Sequence, residues 1–387
     1  MVVFSVPHSP QFIDRPETAA RQLGPLASAR EIAIDTEGAS FHRFVDRVYL
    51  LQLSTRDHTM IVDPLAVNAT PLAPVRALVE SSEVETVFHD ADYDLRLLQR
   101  DYGWQARRLF DTRVAAQLLG FKSFGLAALL ERYFGVKLDK KHQRADWSMR
   151  PLQPDMLEYA AQDTMYLLDL RDHLRDELAS KGRLEWAREE FERLETIRWA
   201  DEEPGTGFLR IKGARDLDRR ELAVLRELGP WRDSVAAELD RATFRVIGNE
   251  ALLEIARMRP ASLDDLGRIR GVPRGILERR GREILDAVRR GLAVPDAELP
   301  KFPRGPRWDR DPDFDSRVNA LKTVRDERSS ALDLDPGVLC ARERLEAVAR
   351  RNPASPGELG EVVELRRWQC EVLGPGFVKA LDAIRRR

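Results

Sequence analysis

The chain has 387 residues, of which 43% are hydrophobic and 33% are charged. This length suits two or three domains, and the composition is typical of globular domains rich in solvated helix, which excludes an intrinsically disordered chain. No apolar run approaches the length of a membrane span, and the first residues carry no recognisable secretory signal. The only cysteines are Cys340 and Cys370, and their spacing matches neither a disulfide framework nor a zinc site. We therefore expect a cytoplasmic protein without a membrane partner.

The formal net charge of −2 is distributed unevenly along the chain. Residues 1–204 hold 26 Lys and Arg against 34 Asp and Glu, a balance of −8, and the rest hold 37 against 31, a balance of +6. An acidic half fits a site of carboxylates that hold cations, and a basic half fits contact with a phosphate backbone. Solvated Arg-rich helices explain so mild a bias equally well, and both explanations stay open.

The first half of the sequence has the pattern of an α/β domain. Apolar runs over 30–37, 47–54 and 57–63, separated by short polar turns, predict an antiparallel meander. The elements expected next are a helix over 71–80, a strand over 84–89, a helix over 92–102, a short strand near 109–110 and a helix capped at Asp111 or Thr112. The pattern after residue 125 is helical except for a loop over 137–154, and residues 155–200 predict two helices that meet near Gly182.

The second half is predicted to be all-helical and contains an internal repeat. An offset of 93 residues aligns Arg232-Asp233 with Arg325-Asp326 and Pro260-Ala-Ser262 with Pro353-Ala-Ser355. Two copies of one small helical domain are therefore expected, because two copies are too few for a solenoid. A linker over 201–216 precedes the first copy, and a Pro-rich segment over 294–312 separates the two. The predicted domains are 1–204, 217–293 and 313–387.

Four carboxylates of the first half would form one site if they met in space. Asp35 and Glu37 end the first apolar run, and a spacing of two in a strand points both side chains to one face. Tyr159 and Asp163 are four residues apart in a helical stretch and also share a face. Converging carboxylates repel one another unless cations lie among them, and oxygen ligands suit Mg²⁺ or Mn²⁺. Two such ions support in-line displacement at phosphorus, so the pattern predicts a nuclease.

The segments that hold these residues resemble the ribonuclease D family, in the tyrosine branch of the DEDD exonuclease superfamily. The matching segments are Ile34-Asp-Thr-Glu37, His89 to Leu95, Arg144 to Leu152, and Tyr159-Ala-Ala-Gln-Asp163. The resemblance assigns Asp94, and not Asp90 or Asp92, to the second motif. Glu158 stands where the histidine branch would have His, which favours the tyrosine branch.

The helical repeats are similar to the HRDC domain, most clearly at Leu228 to Asp233 and Leu252 to Pro260. Together, the resemblances imply an α/β ribonuclease H-like exonuclease domain, with a mixed sheet flanked by helices, followed by two small all-α HRDC-type domains. The second copy has Val324 where the first has Trp231, and Glu364 where the first has Gly271, so the resemblance leaves open whether this copy binds nucleic acid.

The activity that the resemblance implies is a 3′–5′ exoribonuclease that uses two divalent metal ions, Mg²⁺ or Mn²⁺, and releases 5′-mononucleotides. Its partner would be RNA with a free 3′ end, above all tRNA precursors. Asp35, Glu37 and Asp163 would hold the ion that activates the attacking water, and Asp35 and Asp94 the ion that stabilises the departing 3′ oxygen. Tyr159 would orient that water. The alternatives are a 3′–5′ DNA exonuclease with the same site and a nucleic-acid-binding module with a decayed nuclease.

Several further residues are candidates for contact with the RNA backbone or the terminal base. The candidate phosphate contacts are Arg144 and Arg150, before the third motif, and Arg279, Arg280 and Arg282, near Gly271 of the first helical copy. Gly38 stands where the family usually has an aromatic residue, which predicts a larger or looser pocket beside the terminal base. His89 could orient a carboxylate or be a satisfied core histidine. Asp111 is predicted to be a helix cap, and Trp147 a packing residue.

Overall fold

One mixed sheet forms the centre of the N-terminal α/β domain. The structure, a computed structural model, describes residues 9–139, 141–200, 205–303 and 312–386. The strands in this part of the chain are β1 (Gln11–Ile13), β2 (Glu31–Glu37), β3 (Leu50–Ser54), β4 (Thr59–Val62), β5 (Glu85–Phe88) and β6 (Leu109–Asp111). Their order is β1-β4-β3-β2-β5-β6.

Strands β2, β3 and β4 pair antiparallel, whereas β5 and β6 run parallel to β2 and β1 runs parallel to β4. The predicted meander and mixed sheet are therefore confirmed. Every residue of β3, β4 and β5 is buried, so helices cover both faces of the sheet at its centre. The sequence analysis missed β1, because a three-residue edge strand is too short to show a period-two pattern.

The helices of the α/β domain are α1 (Pro16–Leu23), α2 (Pro64–Val67), α3 (Ala73–Val79), α4 (Asp92–Tyr102), α5 (Thr112–Leu118), α6 (Leu126–Phe134), α7 (Pro154–Met165), α8 (Leu167–Ser180) and α9 (Leu184–Glu195). The predicted break near Gly182 is present, between α8 and α9. The prediction of only two helices over 155–200 is wrong, because the chain also breaks between α7 and α8 at Tyr166. No Gly or Pro marks that break in the sequence.

The repeat in the second half is confirmed helix by helix. The first copy comprises α10 (Arg219–Glu238), α11 (Thr243–Val246), α12 (Asn249–Met258), α13 (Leu263–Gly267) and α14 (Arg274–Ala293). The second copy comprises α15 (Phe314–Leu332), α16 (Pro336–Leu339), α17 (Arg342–Arg351), α18 (Pro356–Gly360) and α19 (Arg367–Arg385). The last four helices of each copy begin 93 residues apart, as Thr243 and Pro336 show. Ser262 and Ser355 are corresponding N-caps.

The second helical copy packs directly on the α/β domain. Trp368 stacks on Trp186 of α9, with ring centroids 4.8 Å apart, and the backbone N–H of Arg367 donates to Glu189. Gly120 follows α5, and a side chain there would overlap the carbonyl oxygen of Asp333. The apolar residues of the two domains form one continuous core.

The first helical copy has its own apolar core and contacts the loop between β2 and β3. The backbone N–H of Ala242 donates to the carbonyl oxygen of His42 at 3.1 Å, and Arg43 pairs with Asp240 at 3.1 Å. Asp240 and Asp333 occupy corresponding positions of the repeat, and both have a left-handed backbone conformation. The two copies therefore dock on the α/β domain through the same corner, after their first helix. Among the described helices, none is long and apolar enough to cross a membrane.

Replacement of Trp368 by Ala should destabilise the protein by about 3–5 kcal/mol, because it removes a ring that is only 2% exposed. Val363→Ala in the same helical copy is the matched control, since Val363 is 88% exposed and its truncation should change stability by less than about 0.5 kcal/mol. Urea unfolding followed by circular dichroism measures both. Equal losses for the two variants would contradict a shared core.

Candidate active site

The four predicted carboxylates and Tyr159 line one cavity of about 700 Å³. Asp35 and Glu37 lie at the C-terminal end of β2, and Asp94 lies in the first turn of α4. Helix α7, which carries Tyr159 and Asp163, packs across β2, β3 and β4 and reaches the same end of the sheet. One carboxylate oxygen each of Asp35, Glu37 and Asp163 lies within 4.8 Å of the others. The structure thus brings together all five residues that the sequence singled out.

Asp94 is oriented by the residue between the two carboxylates of β2. The backbone N–H and the hydroxyl of Thr36 donate to Oδ1 of Asp94, at 2.9 and 2.5 Å. Thr36 is buried, so these bonds form away from bulk water and fix the direction of the carboxylate. The sequence analysis did not assign a role to Thr36, because no local pattern relates it to a residue 58 positions away.

Burial and mutual repulsion raise the pKa of each carboxyl group in the cluster. Burial is the larger cause at Asp35, followed by the charge of Asp163, and the pKa lies well above its ordinary value. Burial and then the other three charges likewise raise the pKa of Glu37. Burial and Asp94 raise the pKa of Asp163 to about 7. Among the described residues, no Lys, Arg or His forms a recorded ion pair with these groups, so the donor set fits hard divalent cations.

The phenol of Tyr159 stays protonated in this environment. Burial raises the pKa of its phenol, and the charges of Asp163, Glu37 and Asp35 raise it further, so the hydroxyl keeps its proton at neutral pH. Its ring lies between those of His142 and Trp147, at centroid distances of 5.8 and 6.0 Å. Trp147 is 2% exposed, which confirms its expected packing role.

His89 of the second motif and Asp111, which accepts from the backbone of that motif, have structural roles. His89 makes a 2.9 Å hydrogen bond with the hydroxyl of Thr112, and burial lowers its pKa to about 4. It is therefore a satisfied neutral histidine, one of the two expected roles. Asp111 accepts from the backbone N–H groups of Arg113 and Val114, which confirms the predicted cap of α5. It also accepts from Ala91 and so fixes the turn that leads to Asp94.

The expectation that Gly38 enlarges the pocket is wrong. The phenol of Tyr93 fills the space beside Gly38, and a side chain at Gly38 would overlap its hydroxyl oxygen. That hydroxyl donates to Asp46 at 2.5 Å, and the other carboxylate oxygen of Asp46 accepts from the backbone N–H of Ala39. An aromatic ring therefore lines the cavity here, but it comes from α4 instead of the residue after Glu37.

The five candidate arginines have different surroundings. Arg144 lines the cavity, with its guanidinium carbon 5.7 Å from the ring centroid of Phe41. The expected RNA contact at Arg150 is not supported. Its guanidinium group donates hydrogen bonds to the carboxylate of Asp63 and to the carbonyl oxygens of Trp147, Met149 and Tyr49, and therefore has a structural role.

Arg279, Arg280 and Arg282 lie on α14, away from the carboxylate cluster. Arg280 forms ion pairs with Glu283 and Glu238. Arg279 and Arg282 are exposed, and neither has a recorded ion pair within the described part of the chain.

Arg43 links the two loops beside the site to the first helical copy, a role that the sequence analysis missed. Its Nε donates to Ser148 at 2.5 Å, in the loop before the third motif, and its Nη1 contacts Asp240 at 3.1 Å. Arg113 was also missed. It lines the cavity and pairs with Asp90. Their partners lie far away in sequence, so spacing offers no signal for either residue.

The fold and the site define a class of enzyme, and comparisons with known proteins agree with it. Residues 10–179 match the 3′-5′ exonuclease family, and residues 221–288 and 315–381 each match the HRDC domain. The chain is 33% identical over 368 residues to ribonuclease D of Granulibacter bethesdensis, covering 95% of this chain and 91% of the relative. It is 30% identical over 336 residues to ribonuclease D of Escherichia coli, covering 87% and 88%. The chain belongs to the ribonuclease D family and is a 3′–5′ exoribonuclease.

Solved structures match over nearly the whole chain. The crystal structure of Escherichia coli RNase D, described as an exoribonuclease involved in structured RNA processing, matches with a TM-score of 0.73 and 25% identity over 97% of this chain and 99% of that one. A protein from Bifidobacterium adolescentis matches with a TM-score of 0.82 and 27% identity, covering 96% and 97%. These comparisons confirm the predicted fold class and the enzyme class.

In the metal-free protein, Asp163→Asn should raise the free energy of unfolding near pH 7 to 8 by about 1–3 kcal/mol. The pKa of Asp163 rises from its ordinary 3.8 to about 7 on folding, so the folded state retains a proton that the unfolded state has lost. Stability of the wild-type protein should therefore fall as the pH rises from about 4 to about 7 and level off above that, so the advantage of the variant should shrink toward pH 4.

Urea unfolding in EDTA at several pH values measures this effect. Glu158→Gln is the control, since Glu158 is exposed on the same helix and should leave the pH dependence unchanged. A pH-independent difference between Asp163→Asn and the wild-type protein would contradict the proposed repulsion.

Proposed function

We propose that this exoribonuclease trims the 3′ ends of structured RNA, tRNA precursors above all, by two-metal-ion hydrolysis that releases 5′-mononucleotides. The observation that carries the proposal is the half-buried cluster of Asp35, Glu37 and Asp163, whose carboxylate oxygens lie within 4.8 Å of one another, with the buried Asp94 in the same cavity. Such a cluster is costly to bury without cations. Mg²⁺ and Mn²⁺ both suit its oxygen ligands.

In this proposal Asp35, Glu37 and Asp163 hold one ion, and Asp35 and Asp94 hold the second. The chemistry that two ions would supply when bound is acidification of the attacking water and stabilisation of the departing 3′ oxygen. Thr36 holds Asp94 in the required direction through its two hydrogen bonds. Tyr159, which stays protonated at neutral pH, orients the water by hydrogen bonding and does not remove its proton.

The choice of RNA over DNA rests on the relatives, which are named ribonuclease D. The Escherichia coli relative is described as acting in structured RNA processing, and this description supports a structured substrate here. The shape of the protein agrees, because the first helical copy contacts the loop that follows Glu37 and its exposed arginines extend the surface available to a folded RNA. A 3′–5′ DNA exonuclease with the same site is the alternative, and contact with the 2′-OH would distinguish the two.

Digestion of matched substrates tests the proposal. A 5′-labelled RNA, a DNA of the same sequence and a tRNA precursor with a 3′ extension are incubated with Mg²⁺, Mn²⁺ or EDTA. We expect stepwise shortening of both RNAs from the 3′ end, release of 5′-mononucleotides, and no cleavage in EDTA. Equal rates on RNA and DNA would favour the alternative, and cleavage in EDTA would overturn the metal-dependent mechanism.

Tyr159→Phe should lower turnover by about 10²–10⁴, a size typical of a positioned catalytic group, with little change in RNA affinity. The ring would still pack between His142 and Trp147, so the loss would come from the hydroxyl. Tyr166→Phe is the matched control, because Tyr166 follows the same helix and packs on Phe134 outside the cavity. Single-turnover kinetics measure both variants. Wild-type turnover in Tyr159→Phe would show that the residue only packs.

Charge reversal of Arg279 and Arg282 to Glu should weaken binding of a tRNA precursor and flatten its salt dependence. For a single strand, removal of one bound phosphate reduces the slope of log K against log salt by about 0.7. Arg280→Glu should change the slope less, because Glu238 and Glu283 already neutralise that guanidinium group. Binding titrations at several salt concentrations measure the slopes. Identical slopes for all variants and the wild-type protein would mean that α14 does not contact RNA.

A further inference from the structure

A second cavity, of about 530 Å³, lies between the α/β domain and the second helical copy. Its walls on one side are Phe121, Lys122 and Phe124 of the connection between α5 and α6, and on the other Val338 and Arg344 of α16 and α17. It shares no lining residue with the catalytic cavity within the described parts of the chain. It is therefore a separate site.

This cavity contains positive charge that no ion pair among the described residues neutralises directly. Arg344 is half-buried, and no hydrogen bond or ion pair of its guanidinium group is recorded in the described chain. Glu190 lines the same cavity and is the main opposite charge that acts on Arg344, but it is shared: it accepts from Trp368 at 3.2 Å and pairs with Arg193 at 3.4 Å and with Arg366 at 3.6 Å. A half-buried cation whose nearest carboxylate is shared with two other arginines is under-compensated, so an anionic ligand would stabilise it.

The remaining carboxylate in the cavity wall is also engaged. Asp335 accepts from the backbone N–H of Gly337 at 2.7 Å and caps α16. Lys122 is exposed at the mouth of the cavity and has no recorded ion pair in the described residues. The charge of Arg344 and Lys122 therefore remains available to a ligand.

Aromatic rings provide the other half of a nucleotide site. Phe121 and Phe124 both line the cavity. Arg132 lies over the Phe121 ring at 4.2 Å from its centroid, and Arg113 lies over the Phe124 ring at 5.1 Å. Aromatic rings that stack with bases, next to cations that contact the backbone, are the combination by which proteins bind single-stranded nucleic acid.

The cavity adjoins the catalytic cavity through one short segment. Phe124 lines the second cavity, and the next two residues, Gly125 and Leu126, line the catalytic one. Arg113, which lies over Phe124, lines the catalytic cavity as well. An RNA strand that leaves the catalytic cavity past Arg113 would next meet Phe124.

We propose that the second cavity is a subsite for an upstream nucleotide of the RNA strand whose 3′ end occupies the catalytic cavity. This inference rests on the proposed function. The Phe121 and Phe124 rings take the base, and Arg344 and Lys122 contact the phosphate. The second helical copy then contributes to RNA binding through α17, at a position where the first copy has Ala251. In this proposal the second helical copy forms one side of the RNA-binding surface.

The test compares a dinucleotide with a single-stranded RNA of about 12 nucleotides, long enough to extend beyond the catalytic cavity. In Arg344→Gln/Lys122→Gln, the Kd for the longer RNA in EDTA should rise on the order of tenfold or more, as expected when charge-assisted hydrogen bonds are removed. Turnover of the dinucleotide in Mg²⁺ should stay unchanged. Arg342→Gln is the matched control, because Arg342 is exposed on the same helix and pairs with Glu346. It should leave both quantities unchanged.

Two further variants separate RNA contact from docking of the helical copy. Arg344→Lys keeps the charge and should retain most of the affinity. Phe124→Leu keeps an apolar side chain but removes the stacking ring, and it should weaken binding of the longer RNA about 5- to 100-fold. Thermal unfolding of each variant detects any loss of docking.

Wild-type affinity of the double variant for the longer RNA, or an equal loss on both substrates, would overturn the subsite. Because the longer RNA is bound in EDTA, this result does not depend on cleavage. Failure of the wild-type protein to cleave either RNA would count against the proposed function alone.

Discussion

Repulsion among converging carboxylates, three of them half-buried and one buried, is the constraint around which the α/β domain is arranged. Strand β2 holds Asp35 and Glu37, and both residues lie where it pairs with β3, so they cannot move apart without disrupting that pairing. Asp94 is fixed by Thr36, and Asp163 by a helix packed across three strands. The rigid scaffold holds the negative charges closer together than their mutual repulsion favours. Cation binding should therefore reduce this electrostatic repulsion in the folded state.

The helical copies contact this scaffold through corresponding corners, with different consequences. The first copy contacts the loop after Glu37, and Arg43 connects that loop to the one before the third motif. The position of the first copy is therefore coupled to both loops beside the cavity. The second copy merges its core with that of the α/β domain and forms one wall of a second cavity. The duplicated domain thus has two distinct structural roles within one enzyme.

The arginines of the two helical copies have different surroundings, and the sequence repeat does not reveal this difference. In the first copy, Arg279 and Arg282 are exposed on α14, and Arg280 is neutralised by carboxylates. In the second copy, Arg344 is half-buried at a boundary between domains. A count of positive charge for each copy treats these residues alike, although only their surroundings decide whether a phosphate can reach them.

The sequence by itself determined the features that depend on local patterns. Apolar runs separated by polar turns predicted β2 and the meander, and helix periodicity predicted α4. The carboxylate spacings identified the site, because residues two apart in a strand or four apart in a helix share a face. Alignment of the sequence with itself was enough to find the offset of the helical repeat. Tertiary structure alone decided that Tyr93 fills the space beside Gly38 and that Arg150 bonds to Asp63. Those outcomes depend on groups brought together from distant positions, and no local spacing encodes such contacts.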